Sequence, residues 1–351
     1  MVIFMHQLAE TFRRFAVAHQ RNAPLYSKIA DRVADETTVL DLMSAAPVMQ
    51  RKPVLLFACA HHLLLLNPTG ELAAHYPNIS TPEPDGDAGD LFVRFVLDHS
   101  DEMSTLLATR STQTNEIRRS NWFLFPFAML ERELGPLAHI DVGTSAGLHL
   151  LFPKLAFDIH CGRRIGDRSA LTIQCDVRGQ PPVIDHVPAV NWSVGIDTQP
   201  IDVHDEVAVR WLQACIWPDQ FDRFTRLHSA IDLARHSNLR IDTGDAVENV
   251  ARLVAEASTH GHPTVTTSWV MNYLSPTQRN SFVNELARIG TSTDLSWVIA
   301  ESPLETPELP VTSSDGEDIT VISLVTWRNG QQVSTRLART HPHVNWIHWE
   351  L

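Results

Sequence analysis

Apolar side chains recur every three to four positions over the first third of the chain. Phe4, Leu8, Phe12 and Phe15 mark one face of a helix, and Leu25, Ile29 and Val33 mark another. Residues Asn78 to Asp90 are rich in Pro, Asp and Gly and read as a loop. The helical pattern resumes at Leu91, Phe92, Phe95 and Val96 and runs to Leu107. A polar stretch without periodicity, Arg110 to Asn121, follows. From about Ala138 the pattern changes to short apolar runs, most of them followed by helix-like segments. Strands are predicted over 138–142, 192–196, 238–241, 263–270 and 295–300, with closing strands over 319–327 and 344–349.

The intervening helices carry their own signals. Ser275-Pro276-Thr277-Gln278 is a capping box with Pro at the first helical position. Val247, Val250, Ala251 and Val254 form one apolar stripe; Phe221, Phe224, Leu227 and Ile231 form a second, after Trp217-Pro218. Strand–helix alternation predicts an α/β fold with a mostly parallel, doubly wound sheet, here of seven strands. An α-helical region over 1–135 precedes a core over 136–351. Gly162, Gly166, Gly179 and Pro181-Pro182 break the alternation, and about 157–191 reads as a β-hairpin insertion after the first helix of the core.

Composition narrows the class. Of 351 residues, 44% are hydrophobic and 20% charged, an ordinary globular balance that excludes a disordered chain, a fibre and a coiled coil. The formal net charge of −13 and the lack of a basic stripe argue against nucleic-acid partners. Cys59, Cys161, Cys175 and Cys215 have no C-x-x-C spacing and suit a reducing compartment. The most apolar stretch, Pro53 to Leu66, is shorter than the roughly 20 residues a bilayer requires. The amino-terminal segment carries Glu10 and lacks a cleavage-site pattern. A cytoplasmic protein with no membrane partner is expected, with a homo-oligomer possible. The histidine clusters, His61-His62 and His341-x-His343 with His348, have no metal-ligand spacing, and no metal site is expected.

The sharpest local signal is Asp141-Val142-Gly143-Thr144-Ser145-Ala146-Gly147 between apolar flanks. It fits two templates. One is the strand–turn–helix of a nucleotide cofactor domain, where glycines admit the ligand and the helix start offers free N–H groups. The other is G-x-S-x-G, a nucleophile elbow with Ser145 as nucleophile. The upstream region reads as helical, whereas an elbow follows a central strand with others before it. The cofactor template also needs an acid ending the next strand, and Val194-Gly195-Ile196-Asp197 supplies one. Asp197 serves equally as an Asx turn. A non-catalytic binding protein on the same core remains a third reading.

These motifs, with Gly244-Asp245-Ala246 and Ser268-Trp269-Val270-Met271-Asn272-Tyr273-Leu274 in order, make residues 136–351 resemble the S-adenosylmethionine-dependent methyltransferases. Over nearly the whole chain, through Gln113-Thr114-Asn115-Glu116 and Trp217-Pro218-Asp219 as well, the sequence resembles the bacterial domain-of-unknown-function family twenty-three thirty-two. The resemblance implies a Rossmann-like methyltransferase core, S-adenosylmethionine as cofactor and a small-molecule methyl acceptor. Asp141, Gly143, Ser145, Gly147, Asp197, Asp245, Ala246 and Ser268 would then bind the cofactor. The polar segment Arg110 to Arg118 would meet the substrate through Gln113, Thr114 and Arg118, with Trp269 beside it. Tyr273, Glu116 and Asn115 would serve catalysis. Glu301, ending the fifth strand, reads equally as a base or as a solvated strand end.

Overall fold

The computed structural model describes residues 2–80, 86–113, 115–159, 163–309, 319–342 and 344–351, the side chains of 2–4 excepted. Thr114, Cys161 and His343 lie outside them. The helices are α1 (Val2–His19), α2 (Pro24–Val33), α3 (Thr37–Leu42), α4 (Pro53–Leu66), α5 (Ala88–Asp98), α6 (Ser100–Thr109), α7 (Asn121–Leu134), α8 (Glu206–Ala214), α9 (Phe221–Arg235), α10 (Ala246–Ala257) and α11 (Pro276–Gly290). The strands are β1 (Leu137–Val142), β2 (Ala156–Ile159), β3 (Arg163–Ile165), β4 (Thr172–Arg178), β5 (Val190–Asp197), β6 (Ile241–Thr243), β7 (His262–Ser268), β8 (Leu295–Glu301), β9 (Thr320–Arg328), β10 (Gln331–Thr340) and β11 (Trp346–Trp349). No described helix is long and apolar enough to cross a membrane.

The chain divides into two compact units. One holds Met1–Asn115 and Val203–His228; the other holds Glu116–Asp202 and Ser229–Leu351. The first is all helical. Its core gathers Phe12, Tyr26, Ile29, Phe57, Tyr76 and Phe92 around α4, which is apolar but for His61 and His62, and Trp211 of α8 joins the same cluster. The polar segment after α6 straddles the division, so Gln113 and Asn115 belong to the helical unit and Glu116 and Arg118 to the other.

The second unit is built on one sheet in the order β3-β2-β4-β11-β10-β9-β8-β7-β1-β5-β6. Strands β6, β5, β1, β7 and β8 pair in parallel. Helices α10 and α11 pack on the sheet through Val250, Leu253, Phe282 and Leu286, against Ile140, Val265 and Trp297. Every residue of β1 and of β8 is buried, as in parallel strands covered on both faces. The capping box at Ser275 is present as the sequence predicts.

The seven-stranded expectation is corrected to eleven strands among the described residues. Strands β8, β9, β10 and β11 run as an antiparallel meander. β10 escapes periodicity analysis because its first half, Gln331 to Ser334, is exposed. The insertion does contain a hairpin, β2–β3. However, β4 passes it in parallel and joins β11, so the insertion extends the sheet edge. The element after the glycine turn is a short 3-10 helix (Leu148–Lys154) in place of an α-helix, interrupted by Pro153.

Candidate functional site

The strand order reverses at β1, which is flanked by β5 on one side and β7 on the other. At such a switch point the loops leaving the carboxyl ends of the strands diverge and open a crevice for ligands. The turn Asp141–Gly147 lies there. Gly143, Ser145 and Gly147 all have positive φ, at 70°, 53° and 71°. The Ser145 N–H donates to Asp197 Oδ2 at 2.8 Å, and its carbonyl accepts from Ile201 N–H at 3.1 Å. Asp197 Oδ1 accepts from Gln199 N–H at 2.8 Å, and the Asp197 carbonyl accepts from Gly244 N–H at 2.9 Å. The ends of β1, β5 and β6 are therefore tied together around Asp197, and Ala246 opens α10 beside them. Asp245 caps α10 by accepting from Val247 and Glu248 N–H.

Asp141 faces inward. Its Oδ1 accepts from Thr266 Oγ1 at 2.8 Å, and its Oδ2 accepts from Thr144 Oγ1 at 2.8 Å and lies 3.5 Å from His149 Nδ1. Because Thr266 spends its proton on Asp141, its oxygen accepts from His139 Nε2, 2.8 Å away. Burial alone would raise the Asp141 pKa. His149, His139 and the hydroxyl bonds outweigh it and hold the carboxyl below its ordinary value. Asp141 thus fastens the turn to β7. The Asp141–His149 pair is invisible to motif reading, since His149 sits inside the apolar flank of the motif that Asp141 opens. The other nitrogen of His149 points to the Glu116 carbonyl at 3.4 Å, so both its nitrogens are directed away from an elbow role at Ser145.

A second group stands at the ends of β7 and β8. Trp269 has φ of 56°, and its indole donates to Thr320 Oγ1 at 2.7 Å. The guanidinium of Arg119 lies over the rings of Trp122 and Trp269, 5.3 and 5.8 Å from their centroids, and reaches the Ser268 carbonyl at 3.4 Å. Glu301 is 3% exposed. Its Oε1 accepts from Val270 and Met271 N–H at 3.0 and 3.3 Å. Its Oε2 and the Ser268 and Ser302 hydroxyls are buried and have no hydrogen-bond partner among the described residues. Burial pushes the Glu301 carboxyl up to about 7, against the two N–H groups and Arg119. Sequence reading missed Arg119, which is joined to Trp269 across 150 positions of chain.

The two groups meet at Gly143. A Cβ built there would overlap Val270 Cγ2 and press on its Cβ. The glycine thus admits the loop after β7, which Glu301 holds from beneath. Gly195 likewise leaves room for Thr144. Gly143→Ala is expected to cost about 1–2 kcal/mol for the left-handed backbone and about 1–3 kcal/mol for overpacking. In urea unfolding, Val270→Ala added to it should restore only part of the overpacking cost, because the Val270 Cβ that alanine keeps still lies 2.8 Å from the new Cβ, and none of the backbone cost. A Gly143→Ala protein as stable as the parent would show that the loop is not seated there.

The remaining sequence candidates lie elsewhere. Arg118 donates to the Gln174 carbonyl of β4 at 2.8 Å and to Asn345 Oδ1 at 3.3 Å. Glu116 accepts from Arg118 N–H at 3.0 Å and caps a 3-10 turn. Tyr273 is 63% exposed. Gln113 and Asn115 belong to the helical unit.

The sheet and its flanking helices define the chain as an α/β protein with a switch point at β1. A family profile described as "Uncharacterized protein conserved in bacteria (DUF2332)" matches residues 9–349, and the chain belongs to that family. A search of curated proteins gives no match.

Proposed function

We propose that the protein is an S-adenosylmethionine-dependent methyltransferase acting on a small molecule. The observation that carries this reading is Asp197: a carboxylate at the end of β5, bonded to the glycine turn of β1 at the switch point. Each Asp197 oxygen accepts one backbone N–H, which leaves lone pairs for a pair of ribose hydroxyls. This chemistry fits the cofactor's ribose. The space beside Gly143 is taken by Val270, so a ligand that approaches the turn there displaces the 269–271 loop.

When bound, the cofactor supplies an electrophilic methyl group. Asp197 would hold the cofactor's ribose, Trp269 and Val270 would shield the reacting atoms from water, and Glu301 would accept the proton that the acceptor loses. Such positioning and proton removal is what methyl transfer asks of a protein.

Thermal unfolding with S-adenosylmethionine and with its demethylated product tests the reading. Ligand at one hundred times its dissociation constant should stabilise by about 2.7 kcal/mol. In a folded Asp197→Ala variant, lost hydrogen bonds to a charged group should weaken binding by about 1.5–3 kcal/mol. Absence of stabilisation by both ligands overturns the assignment. Unchanged affinity in Asp197→Ala removes that residue from the site.

A further inference from the structure

The helical unit contains a group of buried polar atoms that its own chain leaves unmet. His61 is fully buried, and its Nδ1 faces the Ala214 carbonyl at 3.1 Å. A carbonyl only accepts, so Nδ1 carries the proton and Nε2 is the acceptor. The atom 2.9 Å from Nε2 is Asn78 Nδ2, which must donate. This fixes the orientation of the amide and makes Asn78 Oδ1 an acceptor. That oxygen is buried without a hydrogen-bond partner among the described residues, as is Asp219 Oδ2; the buried hydroxyls of Tyr26 and Tyr76 face each other.

These groups border one another. The His61 ring lies 5.2 Å from Tyr76, and Tyr26 lies 6.2 Å from both Tyr76 and Trp217. Trp217-Pro218-Asp219 leads directly into the carboxylate, and both phenols feel its charge. The surroundings are aromatic: Phe57 stands 4.5 Å from Tyr26, and Phe15 stands 5.5 Å from Trp217. Asp219 makes no ion pair among the described residues. Burial raises its pKa and those of both tyrosines, so each is disfavoured in its charged form. Oxygen acceptors in an aromatic surround, around a carboxylate that lacks a counter-charge, are the chemistry that recognises an ammonium group.

We infer that the helical unit binds a small organic cation, a primary ammonium or alkylammonium group, between Asp219, Tyr26, Tyr76 and Asn78. The inference does not depend on the methyltransferase reading. It also gives a role to Trp217-Pro218-Asp219, which the cofactor crevice does not use.

The test is calorimetric titration and thermal unfolding of the full chain with methylammonium and ethylammonium chloride. Sodium chloride at equal ionic strength and ethanol serve as charge and shape controls. Saturable binding of the ammonium ions, absent for both controls, is expected. Asp219→Asn and Tyr76→Phe, each near-isosteric, should weaken it at least tenfold while far-ultraviolet circular dichroism stays that of the parent. Equal effects of ethanol would show a water-type polar pocket and overturn the proposal. So would the absence of binding, or unchanged affinity in a folded Asp219→Asn protein.

Discussion

Lowering the pH from 7 to 5 is expected to destabilise this protein, the loss at its buried histidines exceeding the opposing gain at Glu301. His61 and His139 are fully buried, and burial holds each at about 4 against an ordinary 6.5. In the native state both stay neutral through this range, while the unfolded chain takes up protons from 6.5 downward. Their folded values are depressed, so the stability they contribute is present above 6.5 and is lost as the pH falls toward 4. Each loses about 1.4 kcal/mol per pH unit in that window. His62 and His262 are lowered to about 4 in the same sense; they are less enclosed and add less. Asp141, held below its ordinary 3.8, keeps its contribution until the pH falls further. Glu301, raised by burial, works in the opposite direction. Urea unfolding at pH 7, 6 and 5 measures the slope, and His139→Gln should flatten its share of it. A stability that is level between pH 7 and 5 would contradict the neutral, enclosed histidines.

What could be read in the sequence follows the range of the forces involved. The turn at Asp141–Gly147, the strand ending at Asp197 and the capping box at Ser275 are local patterns, and each lies within a residue or two of its expected position. The third strand was displaced: 238–241 was expected, and Ile241–Thr243 forms. There Arg240 is drawn into ion pairs with Asp242 and Glu256. The strand count failed where polar residues form strands at the margin, as in β10, because pairing with β9 substitutes for a buried face. The site was half legible. Asp197 and Gly143 announce themselves by motif. Arg119, Trp122 and Thr320 come to Trp269 only through the meeting of distant segments. Gly143 illustrates the limit of motif logic: the glycine is needed for close approach, and the approaching group is Val270.

If the protein is the methyltransferase proposed above, replacing Glu301 by Gln is expected to lower turnover by about 10²–10⁴-fold, the usual contribution of a positioned base, while making the protein more stable at alkaline pH. The two effects share one cause. Glu301 ends β8 with Oε1 fixed by Val270 and Met271 N–H and with Oε2 lacking a hydrogen-bond partner among the described residues. Burial carries its pKa from 4.5 to about 7, so it exchanges a proton near neutrality, as a base should. As an acid with a raised folded value, it contributes stability that is complete below 4.5 and is lost as the pH rises through 7. The ionised native form then carries a penalty on the order of 3 kcal/mol. Gln keeps an acceptor for the two N–H groups and cannot ionise. The variant should therefore match the parent at pH 4.5, exceed it in urea unfolding at pH 8, and show almost no turnover at either pH. In the parent, turnover should rise with pH to a plateau above 7. If Glu301 were only a clamp for the 269–271 loop, Glu301→Gln would leave turnover intact. A loss of activity together with stability at pH 8 would likewise assign it to holding the loop and remove it from proton transfer.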